Sequence, residues 1–141
     1  MCIRDSGLTL AEVLTALALL AVLAAVGARA VAAAADGAAA RAAGAELRSL
    51  FAQARALAVR RAARAAVRLD TAGAWAAVHA GPDTVVRVPL GARYGVRLSA
   101  TRDSMAYTAL GLGFGAANLR AVLARGRARD TVTVSRLGRV R

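Results

Sequence analysis

The chain has 141 residues and a formal net charge of +12, from 20 basic and 8 acidic residues, and every basic residue is arginine. This length allows one domain plus an anchor, and the charge favours contact with polyanions or anionic membrane surfaces. The only cysteine is Cys2 and the only histidine is His79, which excludes an internal disulfide and a cysteine- or histidine-rich metal site. The order of residues suggests no nucleophile with a neighbouring base, so we expect no enzyme activity, cofactor or metal.

An apolar segment runs from Leu8 to Ala28, and its only charged residue is Glu12. As a helix at about 1.5 Å per residue, the segment is about 31 Å long, which matches the hydrocarbon thickness of a bilayer. A carboxylate within such a segment is costly and is a functional-site candidate by default. The segment therefore predicts a membrane-spanning helix with a functional residue at Glu12.

Two general explanations of the apolar segment remain open at this point. A cleaved secretory signal would have a shorter apolar core followed by small residues, and small residues are frequent from Ala24 to Ala28. A plain signal anchor would also fit the length. Neither explanation accounts for Glu12.

Residues 7–14 read Gly-Leu-Thr-Leu-Ala-Glu-Val-Leu. With the apolar segment behind it, this stretch resembles the prepilin motif of type IV pilins and type II secretion pseudopilins. The resemblance implies that a prepilin peptidase cuts after Gly7, that the new N-terminal residue Leu8 is methylated, and that Glu12 guides assembly. The sequence departs from the family pattern at Leu8, where Phe is usual, and at Asp5, because family leaders are usually basic.

The helical pattern continues beyond the apolar segment, over residues 29–63. Alanine-rich sequence favours a helix, and apolar residues recur at i, i+3 and i+4 spacing from Leu47 to Ala58. Asp36-Gly37 and Gly44 are interpreted as bend points, because glycine weakens a helix. We expect an amphipathic continuation of the helix whose apolar stripe, including Phe51, lies against the rest of the protein.

From residue 64 onward, apolar residues alternate with polar ones in short runs separated by turns. The runs predict strands around Val67 and Leu69, Trp75 to Ala80, Val86 to Leu90, Val96 and Leu98, Leu110 to Phe114, Leu119 to Leu123, and Val132 to Val134. Such strands predict an antiparallel sheet with one buried face, and a helix laid on it gives a two-layer α+β domain. This order of elements is similar to the GspH/FimT branch of pseudopilins and minor pilins, in which the long N-terminal helix packs on the sheet.

The C-terminal tail is strongly basic. Two similar runs, Gly-Arg-Ala-Arg at 126–129 and Gly-Arg-Val-Arg at 138–141, place four arginines that could gather at one end of the sheet if the runs pair as a hairpin. Those residues are Arg127, Arg129, Arg139 and Arg141. Arginine binds phosphate oxygens bidentately, so the tail is a candidate DNA-binding patch, although a solvated basic surface that serves solubility or subunit contacts is the simpler explanation.

Together these features predict four segments: a leader at 1–7, a transmembrane half-helix at 8–28, its amphipathic continuation at 29–63, and a β-sheet head at 64–141. The resemblance implies a single-pass protein of the bacterial inner membrane with a periplasmic head. It also implies assembly with other pilins or pseudopilins into a type II secretion pseudopilus or a type IV pilus. The alternatives are a minor pilin that binds DNA during DNA uptake, and a signal-anchored periplasmic protein of unrelated role.

Overall fold

The computed structural model of the chain describes residues 9–115 and 118–141. The chain divides into an N-terminal unit, residues 1–34, and a C-terminal unit, residues 35–141. Its elements in chain order are helix α1 (Leu10–Arg60), strands β1 (Ala65–Asp70), β2 (Trp75–Ala80) and β3 (Asp83–Val88), helix α2 (Leu90–Tyr94), and strands β4 (Arg97–Ala100), β5 (Ser104–Tyr107), β6 (Gly113–Phe114), β7 (Leu119–Arg125) and β8 (Ala128–Val134).

Helix α1 ends at Arg60, three residues before the end that the sequence predicts. The Ala62 N–H donates to the carbonyl of Val59 and the Ala63 N–H donates to the carbonyl of Ala58, both at 3.2 Å. Ala62 has φ of 46°, so this residue has the left-handed conformation that glycine usually adopts at this position. This hydrogen-bond pattern is a Schellman motif, which satisfies the last carbonyls of the helix and turns the chain toward β1.

The strands form two antiparallel sheets rather than the single sheet that we expected. One sheet has the order β3-β2-β1-β5-β6 and the other has the order β4-β7-β8. The division falls after β3, where Leu90 was expected to extend the strand but instead begins α2. Pro89 has no N–H to donate to a sheet ladder, and Gly95, at φ of 65°, ends α2 in the left-handed conformation, so the chain leaves the first sheet here.

Residues 104–114 also differ from the expectation. The sequence predicts a strand from Leu110 to Phe114, but only Gly113 and Phe114 pair with a neighbour, namely β5. The Gly111 N–H donates to the carbonyl of Thr108 at 2.8 Å and Gly111 has φ of 73°, so residues 108–111 form a turn. The neighbouring strand β5, which we did not predict, pairs with β1.

One hydrophobic core joins the apolar stripe of α1 to both sheets. The predicted stripe residues Leu47, Leu50, Phe51 and Leu57 are buried in the same cluster as Val67, Leu69, Val132 and Val134. This placement confirms the predicted helix face and the predicted α+β class. Most of the large buried side chains are Leu and Val, and Phe51 and Tyr107 are the two fully buried aromatic residues of the described chain.

The outer side of β8 is paired by the tail. The Thr133 N–H donates to the Arg141 carbonyl and the Arg141 N–H donates to the Thr133 carbonyl, both at 2.9 Å. Val134 forms an isolated antiparallel bridge with Val140. Residues 139–141 therefore act as a short extra strand beside β8.

Candidate assembly site

The predicted processing residues Gly7 and Leu8 lie outside the described residues, whereas Thr9 and Glu12 lie within them. The Glu12 N–H donates to the hydroxyl of Thr9 at 3.3 Å and to the carbonyl of Thr9 at 3.0 Å. Thr9 is therefore the N-cap of α1 and Glu12 is the third residue of its first turn. The Thr-x-x-Glu spacing from Thr9 to Glu12 is the sequence signature of a capping box.

Glu12 is exposed, and its position suits an acidic side chain. Carboxylates in the first turn interact favourably with the positive end of the helix dipole. The Thr15 hydroxyl also donates to the Glu12 carbonyl at 2.9 Å, which holds the following turn. The first turn of α1 thus presents one carboxylate at the start of an apolar helix.

The apolar side chains that follow Glu12 are exposed in the N-terminal unit. Leu10 is 77% exposed, Leu19 is 67% exposed and Leu23 is 68% exposed. This part of α1 is long and apolar enough to cross a membrane, and none of it is buried in the structure. Contiguous apolar surface of this size in a protein marks a contact with lipid or with another protein.

Three ion pairs link the second half of α1 to other elements of the C-terminal unit. They are Arg48–Asp130 at 3.1 Å, Glu46–Arg93 at 2.7 Å and Asp36–Arg125 at 2.9 Å. All six partners retain some exposure, so each pair contributes modestly to stability and mainly fixes the position of the helix. These pairs were not predicted, because their partners are distant in sequence.

The first of these ion pairs explains Gly44. Arg48 donates to both carboxylate oxygens of Asp130, at 3.1 and 3.2 Å. A Cβ atom at Gly44 would overlap the Asp130 carboxylate. The glycine that we interpreted as a bend point instead makes room for a close approach of β8, and α1 continues through it.

The ion pair of Glu46 includes a tyrosine. The Glu46 carboxylate accepts hydrogen bonds from Arg93 and from the Tyr94 hydroxyl. The bond to Glu46 raises the pKa of Tyr94, and the pKa of Arg93 rises for the same reason. Tyr94 therefore remains a protonated donor well into the alkaline range, which keeps α2 attached to α1.

The four predicted tail arginines are all exposed, but the structure does not bring them together. Arg127 lies in the turn between β7 and β8, and Arg129 is the second residue of β8. Near the other end of β8, the Arg141 backbone is hydrogen-bonded to Thr133, and the Arg139 carbonyl accepts from the Ser135 N–H. At about 3.3 Å per residue, four residues of strand separate Arg129 from Thr133 by about 13 Å. The two arginine pairs thus occupy different ends of the strand.

His79 also has a defined place. Its Nδ1 atom lies 3.2 Å from the Thr84 hydroxyl on the neighbouring strand, and its Nε2 atom is buried without a hydrogen-bond partner. Among residues 9–115 and 118–141, no three His, Cys, Asp or Glu side chains come together as a metal site would require. His79 is paired with Thr84 in the β2–β3 ladder.

Comparison with known proteins gives the class of this chain. The family model described as type II transport protein GspH matches residues 43–138, which is more than half of the chain, and the chain therefore belongs to the GspH family. It is a subunit of the pseudopilin and minor pilin class, whose members are structural rather than enzymatic. No curated protein sequence matches the chain.

Solved structures of one minor pilin share the fold. The type IV minor pilin FimU of Pseudomonas aeruginosa strain PAO1, in space group P21, superposes with a TM-score of 0.61 at 14% identity, covering 72% of this chain and 86% of that chain. The same protein in space group P65 gives a TM-score of 0.59 at 13% identity, covering 72% of this chain and 90% of that chain. At this identity the similarity establishes the fold alone.

Proposed function

We propose that this chain is a minor subunit of a type II secretion pseudopilus or a type IV pilus. In this proposal the apolar segment at residues 8–28, which includes the first part of α1, inserts in the bacterial inner membrane with the C-terminal unit in the periplasm. A prepilin peptidase cuts between Gly7 and Leu8, and Leu8 is methylated. The processed subunit then assembles with other pilins or pseudopilins.

The observation that carries this proposal is the single carboxylate on the first turn of an exposed apolar helix. Cleavage after Gly7 would create a cationic amine at Leu8, one residue before the N-cap. A charge in an apolar environment is tolerated when it has an opposite partner, and it costs several kcal/mol when it does not. In a filament, the Glu12 carboxylate of one subunit can meet the N-terminal amine of its neighbour.

The cleavage step is tested by mass spectrometry of the mature chain in cells that contain a prepilin peptidase. We expect the mature protein to begin at Leu8 and to carry one N-terminal methyl group. An intact N-terminus, or a cut between Ala25 and Ala28, would contradict the proposal.

The assembly step is tested with Glu12→Gln, which keeps the size and removes the charge. We expect this variant to insert and to be cleaved normally, but to be absent from sheared filaments. Thr15→Val is the matched control, because it also changes a polar residue of the early helix but keeps Glu12. Equal incorporation of the two variants would show that the carboxylate has no role in assembly.

DNA binding by the tail is a separate proposal with its own test. Because the structure separates the two arginine pairs, Arg127→Gln with Arg129→Gln and Arg139→Gln with Arg141→Gln should each affect binding independently. Each contact to a phosphate contributes about −0.9 to the slope of log affinity against log salt. We expect each double variant to flatten the slope for duplex DNA by about 1.8 if all four side chains contact phosphate, and absence of binding at low salt would rule out this role.

A further inference from the structure

The C-terminal unit contains a groove that the assembly site does not use. It lies between the last turns of α1 and the chain segment that closes beside β8, and its volume is about 580 Å³. Its lining includes Phe51, Arg55, Ala56, Val59, Arg60 and Val140. The groove therefore has an apolar floor with two arginines beside it.

Exposed apolar side chains extend this surface. Val59 is 51% exposed although it lies on the helix that carries the core stripe. A Cβ atom at Gly111 would lie 3.1 Å from a Val59 methyl group and 3.2 Å from the Arg55 Nε atom, so the turn at residues 108–111 lies against this part of α1. Leu110 in that turn is 80% exposed.

The charge of this region has one sign. Between Glu46 and Asp70 the sequence has six arginines and no acidic residue. Arg61 follows Arg60 directly, Arg64 comes three residues later, and both are exposed. The Arg64 guanidinium lies 3.7 Å from the centroid of the Phe114 ring. No carboxylate of the described residues lines the groove.

A second copy of the chain is poorly suited to fill such a groove. Residues 35–141 contain eighteen arginines but only six carboxylate side chains. Asp36, Glu46 and Asp130 are in ion pairs. The Asp70 carboxylate accepts the N–H groups of Ala72 and Gly73, which lowers its pKa, and Asp103 accepts the Ser104 hydroxyl. The C-terminal unit of a second copy therefore offers few carboxylates outside ion pairs, mainly the exposed Asp83 and Asp103, and its excess of arginines would repel the groove.

We propose that the groove binds a segment of a different filament subunit, in which apolar side chains are flanked by carboxylates. This inference rests on the proposed function, since it gives the chemistry of the neighbour in the filament. The apolar side chains of the partner would cover Val59 and Ala56, which are exposed in the groove, and its carboxylates would pair with Arg55 and Arg60. Such a partner would make the subunit assemble with acidic neighbours rather than with itself.

The test uses the full chain in micelles of a neutral detergent and three synthetic amphipathic helical peptides as probes. The peptides share the same Leu and Ala positions and differ only in their polar positions, which are all Glu, all Gln or all Lys. We expect the Glu peptide to bind most tightly, with an affinity that falls as salt is added. Equal binding of the Glu and Lys peptides would overturn the proposal.

Two pairs of variants locate the binding. The double variant Arg55→Gln, Arg60→Gln should lower the affinity for the Glu peptide about fivefold, as expected for the loss of two exposed charge pairs. The double variant Arg127→Gln, Arg129→Gln removes the same charge elsewhere and should change this affinity less than about twofold. Ala56→Trp should fill the groove and weaken binding by about tenfold or more, whereas Gln53→Trp, on an exposed position that does not line the groove, should not.

The remaining outcomes are also decisive. Equal effects of the two arginine pairs would show attraction to the overall charge rather than to the groove. A dimer of the chain that Ala56→Trp dissociates would show that a second copy occupies the groove, which also overturns the proposal. If the chain is cleaved after Gly7 and incorporated in filaments but does not prefer the Glu peptide, only this inference is refuted. If the chain is not cleaved, the proposed function is refuted.

Discussion

The two halves of α1 are both rich in Ala, Leu and Val, but they have different surroundings. In the N-terminal unit the large apolar side chains from Leu10 to Val31 are exposed. In the C-terminal unit the stripe from Ala40 to Ala58 is buried, and three ion pairs attach the helix to other elements. Helix propensity is similar in both halves, so the difference lies in what stabilises them.

This difference assigns separate consequences to mutations in the two halves. Substitutions in the second half should change the free energy of unfolding, because they alter a packed core. Substitutions in the first half should change insertion or assembly instead, because its large apolar side chains are exposed. Unfolding of the full chain in neutral detergent, monitored by the fluorescence of Trp75, the only tryptophan, tests this division.

The largest expected effect is that of Phe51→Ala. Phe51 is fully buried, and truncation of a buried Phe leaves a cavity that costs about 3–5 kcal/mol of unfolding free energy. Leu14→Ala is the matched control in the first half, where Leu14 is 58% exposed, and it should leave the unfolding of the C-terminal unit unchanged. A neutral Phe51→Ala would mean that the helix face is not part of the core.

Gly44→Ala should cost about 1–3 kcal/mol, as overpacking does. The new methyl group would displace the Asp130 carboxylate and would lie 3.1 Å from Arg48, so the ion pair would have to open. Gly27→Ala makes the same change in the first half, where nothing lies within 4 Å of the new Cβ atom. This variant should be neutral or favour the helix, because Ala has the higher helix propensity. If both variants destabilise the C-terminal unit, the two halves of α1 do not differ in the way described.

Alkaline pH should destabilise the C-terminal unit through Tyr107. Burial raises the pKa of Tyr107 to about 12, from 10.0. The unfolded chain loses this proton first, so stability is fully present below pH 10 and is lost as the pH rises toward 12. The loss should reach about 1 kcal/mol by pH 11. Urea unfolding from pH 9 to pH 11 measures it.

Tyr107→Phe should reduce this loss but not abolish it. Tyr94 also has a raised pKa, through its bond to Glu46, and it should make a smaller contribution of the same sign. An unchanged pH dependence in the Tyr107→Phe variant would show that the buried hydroxyl does not titrate as the structure indicates.

The smallest effect is expected for Ala62→Gly. Because Ala62 has φ of 46°, glycine at this position should stabilise the protein by about 0.5–1 kcal/mol. Ala32 in the first half lies inside the helix. Ala32→Gly should therefore lower the helicity there, because Gly costs about 1 kcal/mol relative to Ala in a helix interior. Circular dichroism of the two variants would distinguish the opposite signs, and a destabilising Ala62→Gly would show that the Schellman geometry is wrong.

Local patterns in the sequence predicted much of the fold. Alternation identified β1 and β2, and helical periodicity identified the buried face around Phe51, because both depend on one element facing one core. The division into two sheets could not be predicted, because it depends on the pairing of β4 with the distant β7. Strand β5 was missed because Ser104–Tyr107 has only four residues, too few for its alternation to stand out.

In the candidate site, too, local features could be predicted from the sequence and features that depend on distant residues could not. Glu12 was identified because a carboxylate stands out in an apolar segment, and the Thr9 N-cap is also a local signal, since it depends on a spacing of three residues. The groove beside Val59 could not be predicted, because it is formed by α1 and a tail segment about eighty residues later in the sequence. The separation of Arg129 from Arg139 likewise follows from a turn at residues 135–138 that gave no distinct sequence signal.

The short strand at residues 139–141 has a consequence for solubility. A bare edge strand presents unpaired N–H and C=O groups that can pair with another molecule and begin aggregation. Here the outer side of β8 is covered near Thr133, and the covering strand carries the exposed side chains of Arg139 and Arg141. Two positive charges on the outermost strand repel the same edge of another copy, so removal of residues 139–141 should leave a folded but aggregation-prone protein.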